Sequence, residues 1–108
     1  MPKLAIWVQL NAKPGKEAEV EKFLQSAQPL AERESETITW YAVKMAPGSY
    51  GIFDTFADDS GRNAHLTGDI AKALFARAEE LFAAPPEVHK LEVLAAKVPG
   101  VKVLHADA

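Results

Sequence analysis

The chain has 108 residues, 48% of them hydrophobic and 25% charged, with a net charge of −3. That balance fits one globular domain and argues against a disordered chain, and the mixed charges supply no basic field to hold nucleic acid or an anionic membrane. There is no cysteine, which excludes disulfides, thiolate nucleophiles and cysteine-ligated zinc or iron–sulfur centres.

The opening MPKLAIWVQLNAK alternates, is interrupted by Gln9 and carries no cleavage pattern, so it does not read as a signal peptide. No run approaches the roughly 20 apolar residues that span a bilayer, and the expected location is the cytoplasm. Leu4, Ile6, Val8 and Leu10 alternate with Ala5, Trp7 and Gln9, which predicts a strand that KPGK at 13–16 ends. Val20, Phe23, Leu24, Ala27 and Ala31 then recur at helical spacing, with Glu17, Glu19, Glu21 and Lys22 on the other side. Pro29 lies inside that pattern and predicts a break or a fresh first turn.

TITWYAVKMA (37–46) and YGIFDTFA (50–57) flank the turn PGS and predict a hairpin. Asp58, Asp59 and Ser60 can cap a short helix that Gly68 ends. A second helix is expected from Asp69, with a stripe of Ile70, Leu74, Ala78, Leu81 and Phe82, stopped by Pro85 and Pro86. EVHKLEVLAAK (87–97) predicts the last strand. The order β-α-β-β-α-β is the ferredoxin-like, split βαβ arrangement of the α+β class: one antiparallel sheet with its helices on one face. One domain is expected over 1–108, with a core of about 3–97 and a tail, 98–108, that either adds a strand to a partner or frays. Both alternating sets of the hairpin are apolar, Ile38, Trp40 and Ala42 on one and Tyr41, Val43 and Met45 on the other. The uncovered sheet face therefore predicts a homodimer with sheets stacked face to face.

The chemistry the residues permit is narrow. No serine lies in a nucleophile elbow, and PGSYG is a hairpin turn rather than a phosphate loop. His65, His89 and His105 are far apart and no pair has helical metal-ligand spacing, so no metal is expected. The aromatics Trp7, Trp40, Tyr41, Tyr50, Phe53 and Phe56 suit either a core or the wall of an apolar pocket. Asp54, in mid-strand, is either exposed or salt-bridged, or else buried and unpaired with a raised pKa. His65 is either a helix-end histidine bonded to a backbone carbonyl or a proton switch near neutral pH.

The stretch YGIFDTFADDSGRNAHLTGDIAKAL, with KPGKEAEVEKFL before it and APPEVHKLEVL after it, resembles the antibiotic biosynthesis monooxygenase superfamily, which includes the quinol monooxygenases. The resemblance covers about residues 3–97. It implies a dimeric α/β barrel and oxidation of a small electron-rich aromatic, a quinol or phenol, by molecular oxygen with no cofactor. It also implies catalytic roles for His65, Tyr41 and Asp54, with Trp40, Phe56 and Trp7 binding the substrate. Phe56 stands where many members have tryptophan and Ile38 where many have asparagine, which favours an alternative: a non-catalytic domain that binds a small aromatic ligand. The haem-degrading relatives need a histidine where this chain has Phe75, so haem ligation is not expected.

Overall fold

The structure is a computed structural model, and it describes residues 1–100. Eight elements follow one another: β1 (Leu4–Asn11), α1 (Glu17–Glu32), β2 (Thr37–Ala46), β3 (Ser49–Phe56), α2 (Asp59–Leu66), α3 (Asp69–Ala76), α4 (Ala78–Leu81) and β4 (Glu87–Glu92). The strands form one sheet in the order β2-β3-β1-β4, every neighbour antiparallel. This is the ferredoxin-like α+β arrangement that the periodicities predict.

Register decides which side chains share a face, because successive residues of a strand point to opposite sides. Leu4, Ile6, Val8 and Leu10 of β1 stand opposite Phe56, Asp54, Ile52 and Tyr50 of β3. This set faces the helices and packs on Val20, Phe23 and Leu24 of α1, Leu74 of α3 and Leu81 of α4. The other set, Trp7 opposite Phe53 and Tyr41 opposite Phe53, lies on a face that no helix among the described residues covers. Trp7 folds its ring over Gly51, where a Cβ would stand 2.1 Å from Cη2. No helix among the described residues is long and apolar enough to cross a membrane.

Three boundaries differ from expectation. α1 runs unbroken through Pro29, which has only Leu30, Ala31 and Glu32 after it. The lost donor therefore falls in the last turn, where burial of Ala27 and Ala31 against Ile70 holds the segment in place. The single helix expected from Asp69 is two, separated at Arg77, whose φ of −105° and ψ of 7° leave the helical region. Its guanidinium is held by Glu80 at 3.0 Å and Glu19 at 3.6 Å, and lies over the Phe23 ring. β4 stops at Glu92, short of the expected Lys97. The tail expected from residue 98 lies, from position 101 on, outside the described residues.

Candidate acid–base site

Asp54 sits in the middle of β3 on the helix side, opposite Ile6 of β1 and Trp40 of β2. It is 0% exposed. An ionised carboxylate in such a position is costly without a partner, and the partner comes from α2. That helix is short and well defined at its start: the Asp58 carboxylate accepts the backbone N–H of Gly61 at 3.0 Å. Its last turn carries His65 down onto the sheet, where the ring lies against Phe56 at a centroid distance of 5.4 Å.

Both ring nitrogens of His65 meet carboxylates. Nε2 is 2.8 Å from Asp54 Oδ2, and Nδ1 is 2.7 Å from Glu34 Oε1. The contact to Glu34 is an aligned hydrogen bond. The contact to Asp54 is an ion pair, and neither Asp54 oxygen takes a hydrogen bond among the described residues. Glu34 Oε1 also accepts from the Thr37 hydroxyl at 2.8 Å. Burial raises the pKa of Asp54, against the pull of His65. Burial alone would lower His65, but Asp54 and then Glu34 outweigh it and bring the ring to about 8.

A cavity of about 320 Å³ opens beside this cluster, lined by Leu30, Glu34, Thr37, Ala64, His65 and Gly68 among others. A second, of about 190 Å³, shares Glu34 and Thr37 with it and extends to Trp40. Trp40 faces the helices, and its indole N–H is buried without a partner among the described residues. Asp54, His65, Phe56 and Trp40 are thus gathered on the helix side. Tyr41 is not among them: it lies on the open face, 54% exposed, and Trp7 shares that face. The resemblance groups both with His65, and alternation alone separates two sets of residues without saying which set faces the helices. Among the described residues no three His, Cys, Asp or Glu side chains converge as a metal-ion site.

Glu34 is the member that the sequence reading missed. It lies in ERESE, between α1 and β2, which reads as a solvated, charged connection. One signal was present. Carboxylates are disfavoured just past a helix C-terminus, where the macrodipole is negative, but Arg33 at the C-cap offsets them and Glu36 shares the setting, so the signal does not single out Glu34.

No family model matches the chain, and no curated protein matches it. Among solved structures, a protein of unknown function from Nitrosomonas europaea, NE2512, is 53% identical, with 94% of this chain and 98% of that one covered and a TM-score of 0.91. The chain belongs to the family of NE2512. Its fold is also that of a "putative antibiotic biosynthesis monooxygenase" from Caulobacter crescentus, at 22% identity, a TM-score of 0.73, and 87% and 92% coverage. A second protein of that description, from Nitrosomonas europaea, matches at 12% identity and a TM-score of 0.78, with 89% and 94% coverage. The ferredoxin-like fold of the single chain expected from the resemblance is thus found, since these neighbours share it.

Proposed function

We propose that the chain is a cofactor-independent monooxygenase that oxidises a small electron-rich aromatic, a quinol or a phenol, with molecular oxygen. The observation that carries this reading is the buried Glu34–His65–Asp54 cluster beside a cavity, on a fold shared with proteins described as antibiotic biosynthesis monooxygenases. With a quinol the chemistry balances without an outside reductant. Quinol and oxygen give a hydroxyquinone and one water, the substrate supplying all the electrons. The protein then has three tasks: to exchange protons with the substrate hydroxyl, to hold the ring, and to keep bulk water from the intermediates. A histidine that titrates at about 8 changes charge close to neutral pH and suits the first task. Trp40 offers an apolar wall for the second in the neighbouring cavity, while Phe56 backs the His65 ring from the core. Tyr41 and Trp7, on the other face, have no part in the proposed pocket.

The proposal includes a homodimer through the open sheet face. Tyr41, Val43 and Met45 are exposed there, beside half-buried Trp7 and Phe53, and a contiguous apolar sheet face favours a self-complementary partner. A specific observation favours a second reading, an aromatic-binding domain without catalysis: both His65 nitrogens are already engaged, so neither lone pair is free.

The deciding experiment incubates the protein with menadiol and a panel of naphthols under oxygen, with metals chelated. Product formation above that of a His65→Ala control is expected. Equal rates in both would remove His65 from the mechanism; absence of turnover would overturn the oxidation reading, and saturable quenching of tryptophan emission without turnover would establish the binding reading in its place.

A further inference from the structure

A neutral imidazole carries one N–H, yet His65 presents its two nitrogens to two carboxylates, at 2.7 and 2.8 Å. With one N–H, a bare nitrogen lone pair would face a carboxylate oxygen at hydrogen-bond distance. Two acceptors need two donors, so the cluster holds one proton more than a neutral ring supplies, as imidazolium or as a carboxylic acid. The titratable groups that face the ring are Asp54 from β3 and Glu34 from the connection between α1 and β2. Arg33, Glu36 and Asp69 line the cavity without an ion contact to the ring.

The three members differ in access. Asp54 is sealed, and the side chains of His65 and Glu34 are 8% and 19% exposed. Oε1 of Glu34 is used twice, by His65 and Thr37. Oε2 takes no hydrogen bond among the described residues and lies beside Gly68, where a Cβ would stand 3.3 Å from it. Gly68 has a φ of −87°, open to any residue, so its missing side chain matters for space rather than for backbone conformation.

We propose that Glu34 is the proton port of the cluster: it holds His65 doubly protonated against Asp54, and it delivers the extra proton to the oxyanion of a phenol-type ligand in the cavity beside Gly68. In that step the Nδ1–H bond breaks as a Glu34 carboxyl O–H forms. The carboxyl then gives its proton to the ligand oxygen, leaving neutral His65 with its remaining N–H on Asp54. No electrons move. The inference shares the ligand cavity with the function proposed above and is independent of oxidation.

Two measurements on the full chain test it. Nitrogen NMR titration of the His65 ring is expected to find both nitrogens protonated at neutral pH in the wild type. Glu34→Gln is expected to lower the midpoint from about 8 by at least about one pH unit, so that about half or more of the rings carry a single N–H at pH 7. With 4-nitrophenolate as the probe, the wild type is expected to bleach the phenolate band as it protonates the bound anion. Gly68→Ala, which crowds Oε2, is expected to leave the ring titration unchanged and reduce the bleaching about tenfold. An unaltered ring titration in Glu34→Gln, or wild-type bleaching in Gly68→Ala, overturns the proposal. If Glu34→Gln does not fold, Gly68→Ala alone decides the port. These outcomes with no menadiol turnover would remove the oxidation reading and leave the port standing.

Discussion

The two faces of β3 solve different problems with neighbouring residues. Ile52, Asp54 and Phe56 point at the helices and are fully enclosed, yet one of the three is a carboxylate. Gly51, Phe53 and Thr55 point the other way, onto a face covered, among the described residues, only by its own side chains, with Trp7 lying over Gly51 and Thr39 bonded to Thr55 at 2.7 Å. The helix side tolerates a charge because α2 and the segment after α1 deliver partners to it. The open side holds its large residues without any such cover. Burial on β3 therefore marks where the polar cluster is anchored, and the exposed side chains lie on the face through which the dimer is proposed.

The sharpest way to break that comparison is to place the same charge on adjacent residues. Ile52→Asp buries an unpaired carboxylate in the core and is expected to cost more than about 4 kcal/mol, enough to prevent folding. Phe53→Asp, one residue along, is expected to leave the circular dichroism spectrum native and convert a dimer to monomers in sedimentation velocity. A native Ile52→Asp protein would mean that the helix side is looser than its packing implies. Next in size is Asp54→Ala, which leaves a charged imidazole buried with one partner. A loss of about 3–5 kcal/mol is expected in urea unfolding, as when one member of a buried ion pair is removed.

Much of this was legible in the sequence, and the unread part has a physical cause. Alternation along LAIWVQL and helical spacing in α1 give the elements, because burial on one face imposes those periods. Asp54 and His65 stood out as polar groups in apolar runs. Tyr41 is grouped with His65 by the resemblance, and alternation could not check that grouping, because period two separates two faces and labels neither, with Trp40 and Tyr41 one register step apart. Glu34 stayed hidden because its role comes from a contact 31 residues away along the chain, and nothing local distinguishes it from Glu32 or Glu36.

The pH dependence of stability separates the faces in a third way. His65 titrates at about 8 in the fold against 6.5 in the unfolded chain, so its contribution is fully present below 6.5 and lost as pH rises through 8. That difference is worth about 2 kcal/mol. Asp54 is also raised, and its contribution likewise falls as pH rises from 3.8. Glu21 and Glu80 are lowered by their partners and titrate in acid, while Tyr50 is pushed up to about 12, so none of them enters the window from pH 6 to 9. Urea midpoints measured across that window should fall in the wild type and stay flat in His65→Gln. Equal slopes would show that the cluster does not hold its extra proton through neutral pH.

The smallest expected effect probes the open face from within. A Cβ at Gly51 would collide with the Trp7 ring, and the backbone there imposes no glycine conformation. Gly51→Ala must therefore push the indole off the strand. Inside a closed core such overpacking costs about 1–3 kcal/mol, but here the ring can swing outward, so a loss near about 1 kcal/mol is expected. Trp40, on the helix side, would obscure the emission, so the measurement belongs in a Trp40→Phe background, where Trp7 reports alone. Its emission should shift to the red as the ring loses the cover of the strand, and the dimer should weaken because the displaced indole stands where the partner sheet would pack. A red shift without any change in association would place Trp7 at the rim of the contact rather than in its centre, and would move the proposed interface toward Tyr41 and Val43.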